Sequence, residues 1–85
     1  MPMDIQTNRI YKHFKGDYYL VVDTAINNED EQQYVIYRAL YGKGQLFVRP
    51  LEDFIAKVDR NKHPNATQEY KFELQDITSI NPTHK

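Results

Sequence analysis

The residues of this chain that are best suited to chemistry are basic and aromatic side chains, and they occur in three short blocks. The blocks are Tyr11 to Gly16, Tyr37 to Gly42 and Phe47 to Leu51. Each joins an aromatic or apolar run to a cation and to a glycine or proline, the residues that favour turns. Because guanidinium groups bind phosphates and carboxylates, and rings stack on bases, the blocks predict a surface that binds an anionic partner.

The positive charge is concentrated along the sequence. Residues 33–51 contain Arg38, Lys43 and Arg49 and no acid, although the net charge of the whole chain is -1. Tight non-specific binding to DNA depends on neutralising many phosphates, for which a chain of this charge is poorly suited. The partners expected from the sequence are therefore an acidic peptide or protein segment, an RNA or a nucleotide, with no cofactor.

Six residues are predicted to form the ligand-binding surface: Tyr11, His13, Lys15, Arg38, Tyr41 and Arg49. Arg38 stands in an otherwise apolar run, where an uncompensated charge is costly. It is therefore expected either to reach solvent or to pair with Glu52 or Asp53. Arg49 has the same two interpretations, a structural link between sheet and helix or a fork offered to a ligand.

His13 is the residue that keeps an enzymatic function open. It lies between Lys12 and Lys15, whose charges disfavour its protonation, so a neutral imidazole could act as a general base. The enzymatic alternative is a small hydrolase that uses His13 near Arg38 or Arg49, but no complete catalytic site follows from the spacing.

Metal and nucleophile chemistry have little support in the sequence. His63 and His84 have no partner at metal-ligand spacing, there is no cysteine, and Ser79 is the single serine. The sequence therefore predicts neither a metal site nor a nucleophilic enzyme.

The elements that position these residues are predicted to be short strands separated by turns. Runs rich in β-branched and aromatic residues predict strands at 10–15, 18–26, 34–41, 46–49 and 69–74. Gly16-Asp17 and Gly42-Lys43-Gly44 predict tight turns. The third strand is apolar on both sides, so it is either buried on both faces or broken by a bulge.

One short helix is predicted before the last strand. Pro50 suits the first helical position, and Glu52 and Asp53 suit a first turn, where the helix dipole favours negative charge. An apolar stripe about two turns long is expected at Leu51, Phe54, Ile55 and Val58.

Together these elements predict a single, mainly β domain, an SH3-like curled antiparallel sheet or barrel of about five strands. Residues 10–75 are predicted to form the domain, with a flexible arm at 1–9 and a flexible tail at 76–85. The absence of cysteines, of a signal sequence and of a long apolar run predicts a cytoplasmic protein that does not enter a membrane.

The three blocks, taken together, resemble those of a small bacterial family known only as a domain of unknown function. That family has a Tyr-x-His-Phe-Lys-Gly opening, a Val-Tyr-Arg-x-Leu-Tyr centre and a Val-Arg-Pro-Leu segment. Here they stand at Tyr11 to Gly16, Ile36 to Tyr41 and Val48 to Leu51. The resemblance implies a shared domain and carries no activity.

A structural role is the main alternative to ligand binding. Exposed strand edges pair readily with other strands, and half-exposed tyrosines suit protein contacts. The chain could therefore act as an assembly domain that binds a further copy or a larger protein, with weak homo-oligomers as one form.

Overall fold

The computed structural model describes residues 5–76 as one sheet of five antiparallel strands with a one-turn helix. The elements are β1 (Arg9–His13), β2 (Tyr18–Ile26), β3 (Gln33–Ala39), β4 (Leu46–Pro50), α1 (Leu51–Phe54) and β5 (Phe72–Leu74). The strand order is β4-β3-β2-β1-β5. The mainly β class, the five strands and the helix before the last strand are confirmed. Within the described residues the end strands do not pair, so the sheet is open, and the SH3-like assignment stays a prediction.

The predicted glycine turns connect neighbouring strands. Gly16 has a φ of 111°, and its N–H donates to the His13 carbonyl at 2.8 Å between β1 and β2. Gly42 has a φ of 58° between β3 and β4. Because residues with a side chain rarely adopt these angles, glycine permits both reversals at low cost.

The core lies on one face of the sheet, which we call the inner face, and α1 packs against it. The buried core side chains are Tyr11, Val21, Val35, Tyr37, Phe54 and Phe72. Strand side chains reach this face at alternate positions, as a pleated strand requires. Phe54 of α1 stacks on Phe72 of β5 with ring centroids 4.1 Å apart, so the helix is joined to the sheet through aromatic packing.

The opposite, outer face of the sheet carries apolar residues that remain in contact with solvent. Val48 is 63% exposed and Leu46 is 45% exposed. On β3, buried residues alternate with less buried ones, so this strand is not buried on both faces. The irregularity lies instead in β2, where the pairing with β3 shifts between Val21 and Asp23.

The helix is shorter than predicted and begins one residue later. Pro50 ends β4 and precedes the helix, with φ -56° and ψ 141°, which is an extended conformation. The helix ends at Phe54, one turn after it begins. Beyond it, Lys57 forms an antiparallel bridge with Tyr70, and the Val58 N–H donates to the Glu69 carbonyl at 2.9 Å. Val58 is therefore buried as predicted, but from extended rather than helical backbone.

The same pairing explains why the last strand is short. The sequence predicts a strand from residue 69, whereas β5 begins at Phe72. Tyr70 is already paired with Lys57, and only residues 72–74 align with β1. The periodicity of residues 70, 72 and 74 is correct for the strand but cannot show which neighbour each residue pairs with.

Part of the predicted N-terminal arm makes contacts with the domain. Ile5 packs against the core, and the Gln6 N–H donates to the Tyr11 hydroxyl at 3.1 Å. Residues 1–4 of the arm and 77–85 of the predicted tail lie outside the described residues. The helix described between residues 5 and 76 is far too short to span a bilayer.

Candidate functional site

Residues from four segments of the chain line one cleft of about 370 Å³, which we call the basic cleft. Its lining residues are His13, Phe14, Lys15, Arg49, Asp59, Lys62, His63 and Lys71. They come from the end of β1 and its turn, from β4, from the loop after α1 and from the residue before β5. Sites for small ligands have volumes of roughly 300–1,000 Å³, so this cleft is large enough for a small molecule or one chemical group of a larger partner.

One cation of the cleft, Arg49, is held in place by three contacts. Its Nη1 lies 2.6 Å from Oδ2 of Asp53, and its Nε donates to the Tyr37 hydroxyl at 3.0 Å. The guanidinium also lies 5.1 Å from the ring centroid of Phe72, within the range of a cation–π interaction. Arg49 therefore connects β4 to α1, as the structural interpretation from the sequence requires.

Lys71 is held by the same carboxylate. Its Nζ lies 2.7 Å from Oδ1 of Asp53, so one acid binds two cations from opposite edges of the sheet. The hydrogen bond from Lys71 and the charge of Arg49 lower the pKa of Asp53, against the opposing effect of burial. Two cations share one anion here, which leaves an excess of positive charge beside the cleft.

His13 forms one side of the cleft and is fixed by the turn that follows it. The Lys15 backbone N–H donates to Nδ1 of His13 at 3.1 Å. Because Nδ1 accepts this bond, the neutral ring carries its proton on Nε2 and can donate from there. Burial, followed by the charges of Arg49 and Lys15, lowers the pKa of His13 below its ordinary value of 6.5.

Aromatic rings lie beside the charged groups. The Phe14 ring centroid is 4.5 Å from that of His13 and 4.8 Å from that of His63. Phe14 therefore lies between the two histidines, and all three rings line the basic cleft. A cleft of this kind offers flat apolar surface next to cations, which suits a ligand with a ring and an anionic group.

The two outermost lysines, Lys15 and Lys62, are exposed. Within residues 5–76 neither forms an ion pair with an acid. Asp59 is the one acid among the lining residues. Four cations therefore line the cleft, against two acids: Asp59 in the lining, and Asp53, which pairs with Arg49 and Lys71.

Three of the six residues predicted from the sequence meet in this cleft, namely His13, Lys15 and Arg49. Tyr11 is buried in the core at 1% exposure, Arg38 lies on the outer face, and Tyr41 follows the end of β3. These three residues do not line the basic cleft, and their contribution to ligand binding stays a prediction. His13 lies with Arg49 rather than Arg38, and the hydrolase hypothesis stays a prediction.

The contacts of Arg38 and Tyr41 lie away from the cleft. Arg38 Nη1 donates to the Gly44 carbonyl at 2.8 Å, and the side chain is exposed to solvent, which is one of the two arrangements predicted for it. Asp53, a partner predicted in the other arrangement, pairs with Arg49 instead. The hydroxyls of Tyr41 and Tyr19 are 2.8 Å apart. These bonds stabilise the β3–β4 turn and the end of the sheet.

Five lining residues were not predicted from the sequence: Phe14, Asp59, Lys62, His63 and Lys71. The loop around Lys62 and His63 lies nearly fifty residues from His13, so its proximity follows from the sheet order. The one local signal was composition, since Asn61 to Asn65 combines a cation, a histidine and a proline in a polar loop. No group of three potential metal ligands occurs within residues 5–76.

Comparison with known proteins identifies the family to which this domain belongs. The family model described as "Protein of unknown function (DUF1653)" matches residues 9–73. The chain therefore belongs to the DUF1653 family, which confirms the resemblance inferred from the three blocks. No match was found among the curated proteins.

A solved structure supports the same assignment. The chain is similar to the crystal structure of a DUF1653 protein from Bordetella bronchiseptica, with a TM-score of 0.72 and 25% sequence identity. The match covers 92% of this chain and 96% of that chain. The similarity therefore extends over nearly the whole of both proteins.

Proposed function

We propose that this protein is a non-catalytic binding module that accepts an anionic group in the basic cleft. The observation that supports this proposal is the convergence of Lys15, Arg49, Lys62 and Lys71 on one cavity from separate segments. Like charges repel, so gathering four cations costs free energy unless acids or a ligand compensate them. Asp53, which does not line the cleft, compensates part of this charge by pairing with Arg49 and Lys71, and an anionic ligand would compensate the rest.

The two kinds of cation have different tasks in this proposal. Arg49 and Lys71 are fixed by Asp53 and provide a pre-organised positive surface, which lowers the entropy cost of binding. Lys15 and Lys62 are exposed and can close over the ligand. The Nε2–H of His13 adds a neutral donor. Of the anions expected from the sequence, a nucleotide or other small phosphate compound suits the cleft volume better than a long RNA or peptide.

The proposal is tested by titrating isotope-labelled protein with sodium phosphate at low salt and following amide chemical shifts. Low salt is chosen because screening of exposed charges is then least. We expect shifts confined to residues near 13–15, 49, 62–63 and 71. Replacing Lys62 by serine, or Lys15 by serine, should weaken binding several-fold, because each removes an unpaired cation from the cleft.

The matched control is Lys43→Ser, which removes the same charge from the exposed β3–β4 turn outside the cleft. It should leave phosphate binding nearly unchanged. If Lys43→Ser weakens binding as much as Lys62→Ser, attraction by net charge explains the result and the cleft is not a site. A complete lack of shifts with phosphate would overturn the proposal.

A further inference from the structure

Asp59 is an acid in a cleft that otherwise presents cations and rings. Its Oδ1 accepts a hydrogen bond from the Asn61 N–H at 2.9 Å, and its carbonyl accepts from the His63 N–H at 2.9 Å. These bonds form an Asx-type turn that presents Lys62 and His63 to the cleft. No hydrogen bond or ion pair within residues 5–76 involves the second oxygen, Oδ2.

The turn does not by itself require a negative charge at this position. An asparagine also forms Asx turns, because its side-chain oxygen accepts the same backbone hydrogen bond. A site for a simple anion would bind better with asparagine, since the carboxylate repels the ligand. The charge of Asp59 partly compensates the cations of the cleft, and it also makes the side chain a stronger acceptor than an amide for hydrogen-bond donors of a ligand.

We infer that the basic cleft takes a phosphomonoester of a hydroxylated sugar, with the phosphate on the cations and a sugar hydroxyl on Asp59. This inference rests on the proposed function, since it assumes that the cations hold the anionic group. Phe14 and His63 supply flat surface against which a sugar or an attached base can pack. The volume of about 370 Å³ accommodates a pentose phosphate.

The test measures dissociation constants of two probes at low salt, methyl phosphate and ribose 5-phosphate. Both carry a phosphomonoester, but methyl phosphate has no alcohol hydroxyl groups. A hydrogen bond to a charged group contributes about 1.5–3 kcal/mol. The wild-type protein should therefore bind ribose 5-phosphate roughly 10- to 100-fold more tightly than methyl phosphate.

Replacing Asp59 by asparagine should remove both effects of the carboxylate, the repulsion of the phosphate and the strong hydrogen bond to the sugar hydroxyl. Asp59→Asn keeps the Asx turn and removes the repulsion, so methyl phosphate should bind more tightly than to the wild type. The preference for ribose 5-phosphate should fall to a few-fold. The matched control is Asp30→Asn, which changes another Asx carboxylate, one that accepts from the Gln32 N–H at 2.9 Å outside the cleft.

The outcomes separate this inference from the proposed function. If Asp59→Asn strengthens both probes equally, the carboxylate only repels anions; the sugar inference is then wrong and anion binding stands. If the wild type shows no preference between the probes, the inference is also wrong. If neither probe binds the wild type, both the inference and the proposed function are overturned.

Discussion

The two faces of the sheet use similar residues in different ways. On the inner face, Arg49 is held by Asp53 and Tyr37 and lies over Phe72. On the outer face, Arg38 is exposed, and the one hydrogen bond of its side chain within the described residues is to the Gly44 carbonyl of the adjacent turn. Both arginines lie in apolar strands within two residues of an aromatic ring, Tyr37 for Arg38 and Phe47 for Arg49, so the sequence around them is alike. Their roles follow from whether α1 and the loop after it cover that face.

The comparison also applies to apolar residues. Phe72 on the inner face is 1% exposed, whereas Val48 on the outer face is 63% exposed. The core is therefore one layer deep, and each inner-face ring carries a large share of the buried apolar area. The positioning of the basic cleft depends on these rings, because Phe72 touches the ring of His13 and lies beside Arg49.

The largest difference between the two faces is expected in the free energy of unfolding that is lost when an aromatic ring is removed. Phe72→Ala should lower the free energy of unfolding by about 3–5 kcal/mol, since it removes a fully buried ring and leaves a cavity. Tyr18→Ala, on the outer face at 39% exposure, should cost less than about 1 kcal/mol. Urea denaturation measures both.

A loss of this size is a large part of the stability of a small domain, about 5–15 kcal/mol. If Phe72→Ala does not fold, Phe72→Leu, which keeps most of the volume, gives the same ranking against Tyr18→Leu. Equal losses from the two positions would contradict the assignment of a single core face.

A smaller difference is expected between the two arginines. Arg49→Met should lower the free energy of unfolding by about 1–2 kcal/mol, because it removes a part-buried hydrogen bond and an ion pair that solvent only partly screens. Arg38→Met should change it by less than about 0.5 kcal/mol, as is usual for an exposed side chain. Thermal or urea unfolding of both variants checks the comparison, and similar losses would show that outer-face charges matter equally.

The smallest effect concerns the pH dependence conferred by His13. Its pKa is lowered in the folded protein, so below about pH 6.5 the unfolded chain binds more protons than the folded one. The contribution of His13 is fully present above that pH and is lost as the pH falls through the lowered folded pKa. His13→Asn keeps an acceptor for the Lys15 N–H and removes the titration.

Wild-type stability should therefore fall more steeply than that of His13→Asn below about pH 6.5. Urea denaturation at a series of pH values measures this. Parallel pH curves for the two proteins would show that His13 is not shielded on the inner face as the structure indicates.

Much of the sheet follows from the sequence because its signals are local. The boundaries of β2 are as predicted, and the glycine turns lie where positive φ is needed. The length of α1 does not follow from the sequence. The apolar stripe that ends at Val58 fits a two-turn helix, and it fits equally well a one-turn helix followed by an extended segment that pairs with residues 69 and 70. Local periodicity cannot distinguish these alternatives, since the deciding partner is distant in sequence.

The site is less predictable than the fold for the same reason. His13, Lys15 and Arg49 could be selected because they lie in distinctive blocks. Lys62 and His63 lie in a loop whose composition indicates only solvent exposure. The face on which Arg38 lies is fixed by strand pairing, and a strand with apolar residues on both sides does not reveal that face. Tyr41 lies outside the cleft because β3 ends at Ala39, earlier than the sequence predicts.

The basic cleft is built from four segments spread along the described chain, and this has a consequence for folding. Its residues span positions 13 to 71, so the cleft exists only when nearly the whole chain has reached its native arrangement. A molecule bound there would stabilise the native state against unfolding by mass action, by about 2.7 kcal/mol at a hundred times its dissociation constant. The melting temperature would then report occupancy of the cleft, and a library of phosphorylated metabolites could be ranked without an assay of activity.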